Sequence, residues 1–113
     1  MFVYGLLKPG LRLHHVVEPF VTRSMPARVN GRLYDAGVPA ARFDEEGEIE
    51  GFVVWLDEAR LDEALKVLDD LEDEGIDYRR IVVSADTVGG AVDAFAYEYL
   101  KEPGRFVGTT WVE

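Results

Sequence analysis

Along the chain, apolar positions gather in short aromatic or β-branched runs, with one longer stretch in which they recur at three- and four-residue steps. Phe2 to Leu7 is the first run. Lys8-Pro9-Gly10 ends it with pairing-breaking residues, so it predicts a buried strand, expected at the centre of a sheet. Leu13, Val16, Val17 and Phe20 keep helical spacing, but Pro19 confines that helix to about two turns. Met25 to Tyr34 reads as a strand, Asp35-Ala36-Gly37-Val38-Pro39 as a loop and Glu45-Glu46-Gly47 as a turn. Ile49 to Leu56 is the next strand. Gly51 inside it signals a bulge or a close backbone approach, and Asp57 follows as an N-cap.

Between Glu58 and Leu71 the stripe Leu61, Ala64, Leu65, Leu68 and Leu71 predicts an amphipathic helix, with Glu58, Asp62, Glu63, Lys66 and Asp70 turned outward. Tyr78 to Ser84 and Val92 to Leu100, joined through Val88-Gly89-Gly90-Ala91, read as a hairpin. In its second strand Phe95, Tyr97 and Tyr99 share one face while Ala94 and Ala96 share the other with Glu98, so one side is bulky and the other allows close packing. Pro103-Gly104 ends it and leaves a tail through Trp111.

Consecutive strands lack the long helical crossovers that parallel pairing needs. The expected fold class is therefore α+β: a small, mostly antiparallel β-barrel with one main helix and a short helix, in a single domain over 1–113.

Composition narrows the function. The chain has no cysteine, which removes disulfides and thiolate metal sites. Twenty-two acidic against twelve basic side chains leave a net charge of −10, which argues against nucleic acid or anionic membrane as partner. No stretch approaches the ~18 apolar residues of a membrane span, and the first residues lack a basic leader, so a cytoplasmic location is expected. The sequence leaves the oligomeric state open.

His14 and His15 are adjacent and serve poorly as a metal pair or triad member; they read as surface or interface residues of the short helix. Acidic residues crowd Asp69-Asp70-Leu71-Glu72-Asp73-Glu74-Gly75-Ile76-Asp77. One reading is a solvated, poorly capped helix end. Carboxylates there oppose the helix dipole, however, and one so placed has a raised pKa suited to carrying a proton. The spacing does not follow a calcium loop. Val3-Tyr4-Gly5-Leu6-Leu7 is either an ordinary strand end or a backbone nest, in which glycine lets successive amides converge on a carboxylate or developing oxyanion.

These pieces, in order, resemble the γ-glutamylcyclotransferase-like family, which includes the AIG2-like proteins. Val3-Tyr4-Gly5-Leu6-Leu7-Lys8-Pro9-Gly10 is similar to its N-terminal Tyr-Gly-Thr/Ser-Leu loop. Val29-Asn30-Gly31-Arg32-Leu33-Tyr34 through Pro39-Ala40 is similar to its Gly-x-Leu-Tyr strand and Gly-x-x-Pro loop. Leu68-Asp69-Asp70-Leu71-Glu72 matches the Leu-Asp-x-x-Glu segment with the family's catalytic glutamate, and Tyr78-Arg79-Arg80 its Tyr-x-Arg continuation. Two departures stand out. Leu6 replaces the family's Thr or Ser, and Asp73-Glu74 follow Glu72 where many relatives have Gly.

The resemblance implies a small-molecule γ-glutamyl substrate whose α-amine attacks its own γ-carbonyl, yielding 5-oxoproline and a released amine or amino acid. It implies no cofactor, metal or covalent intermediate. Glu72 would act as general acid/base, with Tyr4, Gly5, Leu6, Leu7 and Tyr78 binding substrate. Two rivals accompany it: a catalytically degenerate small-ligand-binding or regulatory module of the same fold, favoured by Leu6, and a different amide-breaking reaction on a γ-glutamyl tag.

Overall fold

A computed structural model describes residues 1–113. Two antiparallel sheets and two helices make up the fold. The larger sheet runs in the order β1 (Phe2–Val3), β5 (Glu48–Leu56), β2 (Val21–Asn30), β6 (Tyr78–Thr87), β7 (Gly90–Tyr99). The smaller runs β4 (Pro39–Arg42), β3 (Arg32–Asp35), β8 (Arg105–Gly108). The sheets do not close on themselves, so the expected barrel is corrected to two open sheets. Pairing between β2 and β6 is confined to Ala27 with Thr87 and Arg28 with Asp86, which leaves the large sheet splayed at its middle.

Helix α1 (His14–Val17) continues as a 3-10 turn over Glu18–Phe20, the length that Pro19 imposes. Helix α2 (Leu61–Leu71) is entered by a 3-10 turn whose N-cap is Asp57, its side chain accepting from the Ala59 amide at 3.0 Å.

Two apolar clusters separate across the large sheet. One lies between the sheets and joins Phe2, Ile49, Val53, Ala94 and Ala96 to Leu33 of β3 and Ala41 of β4. The other lies beneath the helices and joins Val3, Val17, Val54, Leu68 and Tyr97. The two-faced β7 explains this division: its alanines let the small sheet approach on one side, and its aromatics pack under α2 on the other. Fully buried Leu68 anchors α2 with a contribution of about 2 kcal/mol.

Several expectations shift. The first strand is only two residues long and sits at the sheet edge rather than its centre. The run Met25 to Tyr34 is two strands in different sheets, parted at Gly31, whose φ of +156° only glycine adopts readily. Pro39 opens a strand rather than ending a loop, and the tail supplies β8. Gly51 marks a close approach, as expected: a Cβ there would meet the Val3 carbonyl oxygen at 2.3 Å.

Candidate active site

The C-terminus of α2 is well closed, which corrects the reading of a poorly capped end. Glu72 is the C-cap residue, and its amide donates to the Leu68 carbonyl at 2.9 Å. The Glu74 amide then reaches back to the Asp69 carbonyl at 3.0 Å and the Asp73 amide to that of Asp70 at 3.4 Å, the pair of bonds of a Schellman motif. Asp73 holds the left-handed position with φ +48°, where helices ordinarily end on glycine. This reversal swings the chain past the helix axis and leaves the Glu72 side chain facing inward.

The acidic segment is not one cluster. Asp69 accepts from the Tyr97 hydroxyl at 2.6 Å and pairs with Arg80 at 3.2 Å. Asp70 lies 4.0 Å from Lys66, Glu74 accepts from the Arg80 amide at 3.1 Å, and Asp77 pairs with Lys101 at 2.5 Å. Only Glu72 and Asp73 have no bonded partner, and Asp73 is exposed. Glu72 is thus the one half-buried carboxylate of the segment whose oxygens are free. Burial, with the charges of Asp73 and Asp77 behind it, pushes its pKa up to about 7.

Glu72 faces a cavity of about 420 Å³. Tyr4, Gly5, Leu6, Leu7 and Tyr78 line the same cavity, so every residue singled out for the site from sequence lies on its wall. Past β1 the chain turns at once. The Lys8 amide donates to the Gly5 carbonyl and the Leu13 amide to the Leu6 carbonyl, both at 3.1 Å, while the Leu7 carbonyl accepts from His14 Nδ1 at 2.8 Å. The carbonyls of this loop are therefore engaged. The amides of Gly5, Leu6 and Leu7 donate to no protein acceptor, although Gly5 and Leu7 are buried. Unpaired amides in buried residues are rare in folded proteins, and three in succession beside a cavity make a donor surface for an anionic or carbonyl oxygen.

Gly5 is required by contact rather than torsion, since a Cβ there would meet the Pro39 ring at 2.7 Å. The Tyr78 hydroxyl donates to the Pro39 carbonyl and the Tyr4 hydroxyl to the Tyr97 carbonyl, each at 2.6 Å. Burial first, and neighbouring acidic groups after it, raise the pKa of both phenols, so they stay protonated as fixed donors. Their oxygens are committed to the scaffold, and they shape the wall rather than offer a free hydroxyl. His14 steadies the loop from outside, and His15 bonds to the Arg12 carbonyl.

Sequence reasoning did not single out several other residues of the wall, among them Leu13, Val38, Leu71, Tyr97 and the ion pair of Asp77 with Lys101. Leu71 is the last member of the helix stripe, and its place beside Glu72 is the signal that it faces a cavity rather than the core.

The chain belongs to the gamma-glutamyl cyclotransferase, AIG2-like family, whose model matches residues 1–112. Solved structures agree. It is similar to YkqA of Bacillus subtilis, with 28% identity and a TM-score of 0.77 over 97% of this chain, which spans 38% of that longer protein. It is similar to PH0828 of Pyrococcus horikoshii, with 25% identity and a TM-score of 0.71, covering 95% of this chain and 83% of that one. An AIG2-like protein of Mus musculus shares the fold at 23% identity and a TM-score of 0.69, covering 87% of this chain and 74% of that one. No curated protein matches the chain.

Proposed function

We propose that this chain cyclises a γ-glutamyl amine or γ-glutamyl amino acid to 5-oxoproline with Glu72 as general acid/base. The observation that carries this reading is a half-buried carboxylate without a partner, its pKa raised to about 7, lining the same cavity as a loop whose three successive amides donate to no protein acceptor. A base that ionises near neutral pH can take a proton and return it at similar cost, which the reaction requires.

In this reading the Glu72 carboxylate removes a proton from the substrate's α-ammonium. The freed amine attacks the γ-carbonyl carbon, forming the ring C–N bond and an oxyanion. Amides of the Gly5 to Leu7 loop donate to the substrate's carboxylate or to that oxyanion, worth about 3 kcal/mol per well-aimed donor in the transition state. Protonated Glu72 then gives its proton to the leaving nitrogen as the oxyanion re-forms the carbonyl and the original amide C–N bond breaks; the ring nitrogen passes its remaining surplus proton through the restored carboxylate to the released amine, which departs as its ammonium, and Glu72 ends as the carboxylate. Leu6 is no obstacle to this scheme, because the donors are backbone groups. Tyr4 and Tyr78 hold the walls against which the glutamyl chain is oriented.

The reading is tested by incubating purified protein and Glu72→Gln with a panel of γ-glutamyl amines and amino acids and scoring 5-oxoproline by mass spectrometry. Turnover is expected from the wild type and at least a ~10³-fold loss in the variant, with folding and ligand binding retained. An unchanged rate in Glu72→Gln rejects the assignment. No product from any substrate, together with ligand-induced thermal stabilisation, supports the binding-module alternative.

A further inference from the structure

The loop from Gly5 to Leu13, which carries the three unpaired amides, is fastened mostly to itself. The carbonyls of Gly5, Leu6 and Leu7 are met by Lys8, Leu13 and His14, all from the same stretch of chain. Only two of the loop's hydrogen bonds and ion pairs reach a distant segment. The Lys8 ammonium donates to the Trp111 carbonyl at 2.7 Å, and Arg12 pairs with Glu113 at 3.1 Å. Both run to the same C-terminal tail.

The two ties differ in weight. Arg12 and Glu113 stand in water, where an ion pair contributes little. Lys8 is 7% exposed and is the chain's only buried side-chain cation. Burial lowers the pKa of its ammonium, and the Glu50 charge partly offsets this. A methionine would fill the same space without the desolvation cost, so packing alone does not account for a lysine here. Nor does the ammonium serve the cavity. Lys8 lines a separate cleft with Glu50 and Thr110 and has no place on the wall that bears Glu72.

The tail that Lys8 meets is itself held in place. Gly108 of β8 pairs with Leu33 of β3. Beyond it the Glu50 amide, in β5, donates to the Thr109 carbonyl at 2.7 Å, and the Thr110 hydroxyl donates to the Glu50 carboxylate at 2.8 Å. Trp111 packs against the apolar cluster between the sheets. Its carbonyl is therefore a fixed point, and the residue bonded to it directly follows Leu7. Lys8 closes the turn through its amide, at 3.1 Å from the Gly5 carbonyl, and anchors it through its ammonium.

Resting on the cyclotransferase reading, we propose that Lys8 is a positioning residue, whose ammonium moors the donor loop to the C-terminal tail and so holds the amides of Gly5, Leu6 and Leu7 where they receive the glutamyl half of the substrate. The tail thereby forms part of the binding apparatus without touching the ligand. Glu72 is held independently by α2 and its cap, so loss of the mooring weakens binding and spares the proton-transfer step.

Lys8→Met keeps an unbranched apolar stem and removes the ammonium. Binding of γ-glutamyl-methylamide is measured by calorimetry on Glu72→Gln with and without Lys8→Met, and kcat and KM for the same compound are measured on the wild type and Lys8→Met. Kd and KM are expected to rise about tenfold, with kcat within about threefold of the wild type. Thr110→Val loosens the tail at Glu50 without touching the loop and is expected to raise KM in the same direction by about threefold. Arg12→Gln, which breaks the exposed pair, is expected to leave KM unchanged.

A loss of stability in Lys8→Met with Kd and KM unchanged overturns the proposal, as does a fall in kcat alone. An unchanged KM in Thr110→Val overturns the role of the tail, and this variant carries the test if Lys8→Met does not fold. A KM as high in Arg12→Gln as in Lys8→Met overturns the assignment to Lys8. No binding of the methylamide by Glu72→Gln overturns the loop as holder of the glutamyl half, and the inference with it. Weaker binding on Lys8→Met without any 5-oxoproline from the wild type sustains the mooring while rejecting catalysis, and turnover that Lys8→Met leaves unchanged does the reverse, so the two conclusions fail separately.

Discussion

At the residue scale, Glu72 combines two properties that ordinarily oppose each other: a carboxylate removed from water and the lack of any bonded cation. The cost of that combination has a sign and a pH window. Its pKa is raised from 4.5 to about 7, so the folded state binds more protons than the unfolded state between those values. Stability from this group is therefore full below pH 4.5, falls as pH rises, and is lost above about 7. The shift corresponds to up to about 3 kcal/mol. Glu72→Gln is expected to be more stable than the wild type at pH 8 by roughly 1–3 kcal/mol, and equally stable at pH 4.5. Urea denaturation at the two pH values checks this; equal stabilisation at both would mean that the gain has nothing to do with ionisation. The same ionisation sets the acid limb of kcat/KM near pH 7 if the carboxylate form is the one that acts.

At the element scale, the C-terminus of α2 decides where Glu72 points, and Asp73 occupies the left-handed position that closes it. Glycine there removes the steric cost of the left-handed conformation, and it also removes the charge that, after burial, raises the Glu72 pKa most. Asp73→Gly is expected to stabilise the protein by roughly 0.5–1 kcal/mol and to move the acid limb of activity to lower pH. A Tm series and a pH profile read the two effects independently, and an unmoved limb would show that Asp73 acts on backbone geometry alone. This element was legible in sequence because its apolar stripe is long and regular, whereas Glu72 was singled out among the acidic residues at its end only by the family resemblance. The hairpin β6 and β7 was legible for a related reason: alternation between alanine and aromatic residues reports both faces at once. Strands β4 and β8 carried no such signal. Pro39-Ala40-Ala41-Arg42 is poor in β-branched residues, and its alanines are buried because β4 lies against the large sheet, a fact of tertiary packing rather than of local preference. The edge position of β1 was hidden for the opposite reason, since its continuous apolar run comes from being covered on both faces and says nothing of how many neighbours it pairs with.

At the scale of the whole molecule, two open sheets must be held together around a cavity without the continuous hydrogen bonding of a closed barrel. Buried tyrosines supply part of that function. Tyr78, at the start of β6 in the large sheet, donates to the Pro39 carbonyl at the start of β4 in the small one, and Pro39 in turn presses on Gly5 in the donor loop. One hydroxyl therefore ties the second sheet to the amides proposed to hold substrate. This chain of contacts could not be read along the sequence, because its members are thirty or more residues apart and meet only once both sheets have formed. Its removal has a definite expected result. Tyr78→Phe keeps the ring and its edge-to-face packing on Tyr99, with centroids 5.1 Å apart, but leaves the Pro39 carbonyl without a partner. The loss is expected to cost about 1–2 kcal/mol of stability. If Pro39 also sets the position of Gly5, the variant's KM should rise several-fold while kcat falls less, because Glu72 keeps its place at the helix terminus. Denaturation and steady-state kinetics on the same preparation decide the matter. A stability loss with unchanged kinetics would confine Tyr78 to the scaffold, whereas a fall in kcat alone would mean that its hydroxyl leaves Pro39 and meets the reacting atoms during turnover.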